Sequence, residues 1–420
     1  MVPIIISCEL DPLQQDEIPS FDKLYAVSEN VEAIDFICKP NQSGYIILGN
    51  IKTSENSDII LIDVAPDGIQ REFYRINTPF FDEGVKLKVN QDDNSLIILG
   101  HRRTEATQAN VNQNFIIKTN IDGIPIRAEN ASDEDPVIAE IKLFPEDPNE
   151  IVQLNDMVLI PPHLITVGFV RESTSGRFNR ITRIYNWNTI NFSDTSDVDI
   201  DKTVEIPIVN DINYNNNSRS LRVLKGNTTN GIYSVYGQIN KENPNGEIAG
   251  NSLNINWNIY TDIQSSAPEP INDIGSDKNE ELGSILHHSN GKTYLAGNYT
   301  NNDDESLFLI TKEYRGIENN TEQKIYPFGG KGTKVTSLTE DIDNNIIMAT
   351  IEEEELSNIS YLLKFSPAGE PIEDQEFEFN STGLYHIKKI ESEPNNVIVV
   401  LSQKSFENNS TAIGLMKIKF

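Results

Sequence analysis

The chain has 420 residues and a formal net charge of −30, from 34 Lys and Arg against 64 Asp and Glu. That balance repels nucleic-acid phosphates and anionic lipid headgroups, and so excludes DNA, RNA or membrane-surface binding through a basic patch. Hydrophobic residues make up 37%, with 17 Phe and 14 Tyr, enough to build a large core.

The chain opens Met1-Val2-Pro3-Ile4-Ile5-Ile6-Ser7-Cys8 and continues with a polar, acidic stretch containing Glu9, Asp11, Asp16 and Glu17. A short apolar run ending in Ser-Cys before an acidic tether resembles the cleavage region of bacterial lipoproteins, and in particular those of the Bacteroidota. The resemblance implies that Cys8 is lipidated and that the protein is anchored at the outer membrane or cell surface through that lipid alone. On this reading residues 1–8 are the remnant of a lipoprotein signal, 9–20 an acidic tether and 21–420 the folded body. The apolar run is shorter than the roughly 7–15 residues of a full signal peptide, and no basic segment precedes it. A disordered leader with a structural cysteine, or a Cys8–Cys38 disulfide pinning that leader, is the alternative.

Beyond the tether a repeat dominates. A β-rich run ending in a small residue recurs as Tyr45–Gly49, Leu96–Gly100, Leu164–Gly168, Tyr233–Gly237, Tyr294–Gly297, Ile346–Ala349 and Val397–Val400. The final positions are 51, 68, 69, 60, 52 and 51 residues apart, with Ala349 and Val400 marking a fading motif. An alternating apolar segment and an Asn/Gly/Asp turn precede each run. A polar loop and a third apolar run follow, as in Asp58–Val64, Asn114–Thr119, Leu307–Lys312 and Tyr361–Phe365. Tight turns at Gly68, Gly123, Gly316 and Gly369 then lead into a more polar fourth run, such as Arg71–Ile76 or Gln375–Phe379.

Four short antiparallel strands in about 50 residues are the unit of a propeller blade. The expected fold is therefore all-β: a seven-bladed β-propeller of four-stranded antiparallel blades. A two-domain sandwich is the rival. The last repeat has three strands, and the spare segment Asp22–Ser28 is expected to supply its fourth, closing the ring and covering an edge. The resemblance is to the architecture, since neither a Trp-Asp signature nor a kelch double glycine is present.

No catalytic residue, metal site or cofactor is expected. Gly-x-Ser-x-Gly and P-loop motifs are absent, and two cysteines supply neither a disulfide framework nor a thiolate zinc site. His287 and His288 are neighbours on a strand and point to opposite faces, while His101, His163 and His386 fall in other repeats. Gly329–Gly332 reads as a connection between repeats. The acidic stretches 194–201, 301–305 and 352–355 read as solvated loops. Trp187 and Trp257 read as core. Phe80 and Phe81 lie between the first and second repeats, where two adjacent rings do not both bury easily, and one is expected to anchor a partner.

Long loops at 103–113, 129–150, 191–217, 240–250 and 261–280 are expected on one decorated, acidic face, opposite a face of tight turns. The function expected from this pattern is a non-enzymatic binding scaffold, serving as accessory subunit of a membrane-associated, outer-membrane protein complex, with a protein partner and no nucleic acid. A glycan- or peptide-binding propeller acting alone, and a hydrolase or lyase with a channel site, are the alternatives.

Overall fold

The computed structural model describes residues 21–53, 56–76, 80–103, 113–126, 140–143, 151–171, 178–189, 202–205, 218–225, 233–240, 253–260, 272–273, 279–301, 304–315, 318–326, 333–353, 358–379, 384–394, 397–406 and 410–419. These residues are all-β apart from short 3-10 turns at Pro40–Gln42 and Trp187–Thr189. Cys8, the stretch 194–201 and Gly329–Gly332 lie outside them.

The strands follow one another as antiparallel four-strand meanders. After β1 (Phe21–Glu29), the first meander is β2 (Val31–Cys38), β3 (Tyr45–Lys52), β4 (Ser57–Val64) and β5 (Gln70–Ile76). The second is β6 (Phe81–Asn90), β7 (Ser95–Arg103), β8 (Gln113–Thr119) and β9 (Glu140–Leu143). The third is β10 (Ile151–Ile160), β11 (His163–Arg171), β12 (Phe178–Asn186) and β13 (Lys202–Glu205). The fourth is β14 (Ser218–Lys225), β15 (Tyr233–Asn240), β16 (Leu253–Tyr260) and β17 (Asn272–Asp273). The fifth is β18 (Asn279–His287), β19 (Lys292–Asn301), β20 (Asp304–Arg315) and β21 (Glu318–Tyr326). The sixth is β22 (Thr333–Glu340), β23 (Ile346–Glu353), β24 (Asn358–Phe365) and β25 (Pro371–Phe379). The last is β26 (Leu384–Glu393), β27 (Val397–Ser405) and β28 (Ser410–Lys419), and β1 pairs antiparallel with β28 as its fourth strand, Phe21 opposite Lys417 and Tyr25 opposite Ile413.

Three expectations are corrected here. The stretches 129–150, 191–217 and 261–280 are not plain loops: they carry the outer strands β9, β13 and β17. These outer strands are four, four and two residues long, too short for an alternating pattern to stand out from polar surroundings. Glu352 and Glu353 end β23 instead of opening a loop, and Glu352 is buried, its carboxylate accepting from the Tyr361 hydroxyl at 3.4 Å. Nor do Ala349 and Val400 hold the place of the repeat's glycine, although that glycine is replaced in the last two repeats. A bulge in β22 sets Ala349 opposite Ser337 and one in β26 sets Leu401 opposite Lys389, so Thr350 and Ser402 occupy the place of Gly49 opposite Ala33.

The chain divides into two compact units: Met1–Thr53 with Ile59–Ile76 and Leu282–Phe420, and Ser54–Asp58 with Asn77–Glu281. In the first, Tyr294, Leu307, Val335 and Met348 pack the fifth meander on the sixth. Ile347, Leu362, Ile390 and Val400 pack the sixth on the last. Phe21, Tyr25, Phe36, Ile60, Leu401 and Ile413 pack the last on the first. In the second unit, Leu99, Ile116, Leu154 and Tyr185 join the second meander to the third, and Val167, Ile184, Val223 and Val235 the third to the fourth. A sheet covered on both faces needs apolar residues at successive positions. This is why β4 is buried at every residue and its sequence, Ser-Asp-Ile-Ile-Leu-Ile-Asp-Val, does not alternate.

The first strand of a meander carries a further shared feature. A bulge interrupts β2, β6, β10, β14, β22 and β26 near the middle of the strand. At Asp156 and Ser337 the residue after the bulge turns a polar group toward the next meander, and Ser284 makes an equivalent bond from β18. Asp156 Oδ2 accepts from Val223 N at 3.1 Å, Ser337 Oγ from Ile390 N at 3.1 Å, and Ser284 Oγ, in β18, from Leu338 N at 2.9 Å. Lys389 works in the other sense: its Nζ donates to Phe36 O at 2.6 Å, because Asp35 Oδ1 already holds Phe36 N at 2.9 Å. Burial opposes the charge on Lys389, but Asp35 and Glu391, at 2.8 and 2.6 Å, outweigh it and lift the ammonium above its usual range.

Candidate partner-binding site

Phe80 precedes β6 and Phe81 opens it. Ser57 N donates to Phe80 O at 3.4 Å and Ser57 makes a parallel bridge with Phe81, which fixes the backbone entering the strand. The two rings part as adjacent strand residues must. Phe81 is half-buried, whereas Phe80 stays 37% exposed.

What holds Phe80 is legible from the β6–β7–β8 register. Gly100 lies opposite Gly84 on one side and Phe115 on the other. A Cβ on Gly100 would sit 2.4 Å from the Phe115 ring, so only glycine lets that ring lie flat against β7. Two residues on, on the same face, Arg102 stands opposite Asp82. The guanidinium donates from Nε to Asp82 Oδ1 at 2.8 Å and from Nη2 to Oδ2 at 2.7 Å. This in-plane fork is the strong form of the Arg–carboxylate pair, and Asp82 is buried. It leaves the faces of the guanidinium for rings: its Cζ lies 5.2 Å from the Phe115 centroid and 4.9 Å from that of Phe80. On the opposite face of the hairpin, Arg103 pairs with Glu83 at 2.9 Å, and buried His101 is bonded through Nε2 to Leu154 O at 2.6 Å. Burial holds the His101 imidazole down at about 4, so the ring is neutral and Nε2 is the donor.

The arrangement is an exposed aromatic ring on a charged platform that is itself locked by a buried carboxylate. A ring held in this way offers an apolar face for contact with another molecule. Sequence reasoning singled out Phe80 and Phe81 but missed Asp82, Gly100, Arg102 and Phe115. Counting outward from the Asp92-Asp93-Asn94 turn of the β6–β7 hairpin would have put Asp82 and Arg102 opposite each other, once the bulge was allowed for.

The other residues singled out from sequence lie elsewhere on the meanders. His287 Nδ1 is 2.8 Å from Thr293 Oγ1, and His288 Nε2 is 2.9 Å from Asn344 O with its ring edge-on to Tyr294, so the pair does diverge. His163 and His386 are half-buried on β11 and β26. Trp187 is half-buried against the core joining the second and third meanders. Cys38 is a free, half-buried thiol among the described residues. Burial, then the neighbouring Glu391, push it well above the usual thiol range, which suppresses the reactive thiolate. Among the described residues no group of three His, Cys, Asp or Glu is placed to hold a metal ion.

No protein-family model and no curated protein matches the sequence. Among solved structures, the chain is similar to a protein of unknown function from Dyadobacter fermentans, at 8% identity over 97% of this chain and 100% of that one, with a TM-score of 0.48. It is also similar to the β-propeller domain of the trilobed protease from Pyrococcus furiosus, at 10% identity over 89% of each chain and a TM-score of 0.46. The polysaccharide lyase Uly1 matches at 9% identity over 90% of this chain and 88% of that one, again with a TM-score of 0.46. At such identities and scores no residue role, activity or partner passes from these proteins to this chain, which is all-β with propeller-type neighbours.

Proposed function

We propose that the chain is a non-enzymatic binding scaffold: a seven-bladed β-propeller whose blades are the four-strand meanders, closed by β1 and moored by a lipid on Cys8 at the outer membrane or cell surface. In this reading it is an accessory subunit of a membrane-associated complex and grips a protein partner at Phe80. The observation that carries the reading is the exposed Phe80 ring backed by an Arg102 that Asp82 has already immobilised. A ring held this way loses little freedom on binding, and aromatic side chains with a neighbouring Arg dominate interface energies. The net charge of −30 favours neutral or basic partners over anionic ones.

The test is capture from membranes of the native host, followed by mass spectrometry, with wild type, Phe80→Ala and Cys8→Ala. Phe80→Ala should lose the captured partner while melting like wild type. Cys8→Ala should move the protein from the membrane to the soluble fraction. Undiminished capture by Phe80→Ala removes this site from consideration, and an unmodified Cys8 in the mature protein removes the anchor.

A further inference from the structure

Three ionisable side chains meet at the joint between the last meander and the first. Asp35 follows the bulge of β2 and Lys389 follows the bulge of β26, so the two occupy the same place in their strands. Lys389 Nζ lies 2.8 Å from Asp35 Oδ1 and 2.6 Å from Glu391 Oε1. The Asp35 side chain is 1% exposed, whereas those of Lys389 and Glu391 are 23% and 29% exposed. Backbone groups hold all three. Phe36 N donates to Asp35 Oδ1 at 2.9 Å, Phe36 O accepts from Lys389 Nζ at 2.6 Å, and Cys38 N donates to Glu391 Oε2 at 3.3 Å. The buried Phe36 ring has its centroid 5.1 Å from Nζ.

Contact between a lysine and a carboxylate is common and by itself leads nowhere. Lys417, close by, touches Glu393 at 2.7 Å, but its other partner is the Tyr45 hydroxyl at 3.2 Å. Around Lys389 two carboxylates stand at once, one buried and one reaching the surface. One can be attacked while the other carries protons.

We infer that Lys389 and Asp35 form an autocatalytic cross-linking site, at which Nζ attacks the Asp35 side-chain carboxyl carbon and an isopeptide bond joins β26 to β2, with Glu391 as proton carrier. Of the three protons on the ammonium, one stays on the amide nitrogen. Two pass by way of Glu391 to the departing Asp35 oxygen, which leaves as water, and Glu391 ends as it began. A C–N bond forms, a C–O bond breaks, and no oxidant, nucleotide or metal is consumed. The carboxylates that lift the Lys389 ammonium above its usual range also stand where its proton must go, so transfer within the cluster frees the amine. Phe36 N–H, already on Oδ1, faces the negative charge that grows there in the tetrahedral intermediate. Both reactants are held in contact by the fold, which replaces a bimolecular encounter. Glu391 reaches the surface and gives the water a way out. The amide N–H that results keeps the bond to Phe36 O. The product ties the first meander to the last and removes loop entropy from the unfolded chain.

The experiment is mass spectrometry of the folded full chain, denatured for measurement, both intact and as a tryptic map. Wild type should be lighter than its sequence by one water. Trypsin should fail to cut after Lys389, and the peptides that contain Asp35 and Lys389 should run as one branched species. Glu391→Gln keeps the shape of the side chain and should fold, by circular dichroism, with its full sequence mass. Lys389→Met should likewise show no loss of water. Full sequence mass in folded wild type overturns the inference. So does a lost water that maps to other residues or that persists in Lys389→Met. Undiminished water loss in Glu391→Gln overturns the proton-carrying role. None of these readings depends on Phe80 or on an anchor at Cys8, so the proposed function stands or falls separately.

Discussion

Replacing Phe21 by alanine tests the joint at which the two ends of the chain meet. Phe21 is the first residue of β1, is 7% exposed and has its ring centroid 6.1 Å from that of Tyr45. It also lies under the Gly68 turn, so close that a Cβ on Gly68 would come within 2.7 Å of the ring. Gly68 is therefore fixed as glycine twice over, by this contact and by its φ of 81°. Truncating a buried Phe costs about 3–5 kcal/mol, and a ring at a strand end, where neighbours relax into the space, belongs near 3. For a cooperative unit of roughly 150–250 residues that is a fall in melting temperature of about 6–12 °C. Tyr25→Phe should cost about 1 kcal/mol, since it removes only the hydroxyl that donates to Gly68 O at 2.7 Å. Both side chains rest on the same turn, so the double variant should cost measurably more or less than the sum. Urea unfolding followed by circular dichroism provides the energies. If Phe21→Ala lies within about 0.5 kcal/mol of wild type, β1 is not part of the cooperative fold and its pairing with β28 carries no structural weight.

Other consequences are as direct. His101 is kept neutral, at about 4 against 6.5 when unfolded, so its contribution to stability is complete above pH 6.5 and is lost as pH falls through 4. The loss amounts to about 3 kcal/mol; urea midpoints measured from pH 7.5 to 4 should fall, and His101→Gln should flatten that fall, with His287, which burial also holds near 4, contributing to the slope that remains. Gly100→Ala should cost about 1–3 kcal/mol through its clash with the Phe115 ring, and Phe115→Leu in the same chain should recover part of it in thermal melts. Asp156→Ala leaves Val223 N without its acceptor and should cost about 1–3 kcal/mol, with faster exchange of that amide, while Asp156→Asn should be milder.

Much of this molecule is written locally. Runs such as Ile59–Ile62 or Leu96–Leu99 bury both faces and so declare themselves as continuous apolar strands, and the tight turns are marked by Gly68, Gly123 and Gly369, which adopt φ of 81, 85 and 74°. The pairing of segment 22–28 with the last strand was legible too, because three strands were left over at one end and one at the other. What escaped was non-local or too short. Glu140–Leu143 and Lys202–Glu205 are strands only because β8 and β12 offer them an edge. Thr350 and Ser402 look unlike Gly49 until the bulges set the register. At the candidate site Phe80 was visible because two adjacent aromatic residues in a connection are conspicuous. Arg102 and Asp82 are twenty residues apart and become one object only when the hairpin closes.

The polar residues that the first strands turn toward the next meander also make the joints non-interchangeable. Asp156, Ser284 and Ser337 present an oxygen to a waiting amide, whereas Lys389 presents a cation to a carbonyl whose own amide Asp35 has already claimed. Four repeats thus carry in their first strand a key cut for the next repeat, and one key has the reverse polarity. A chain with its last repeat transplanted into the middle would set an ammonium against an N–H, two donors facing across a buried gap. Serial order among otherwise similar repeats is in this way enforced by hydrogen-bond sense, and the odd key stands where the sheet is completed by the other end of the chain.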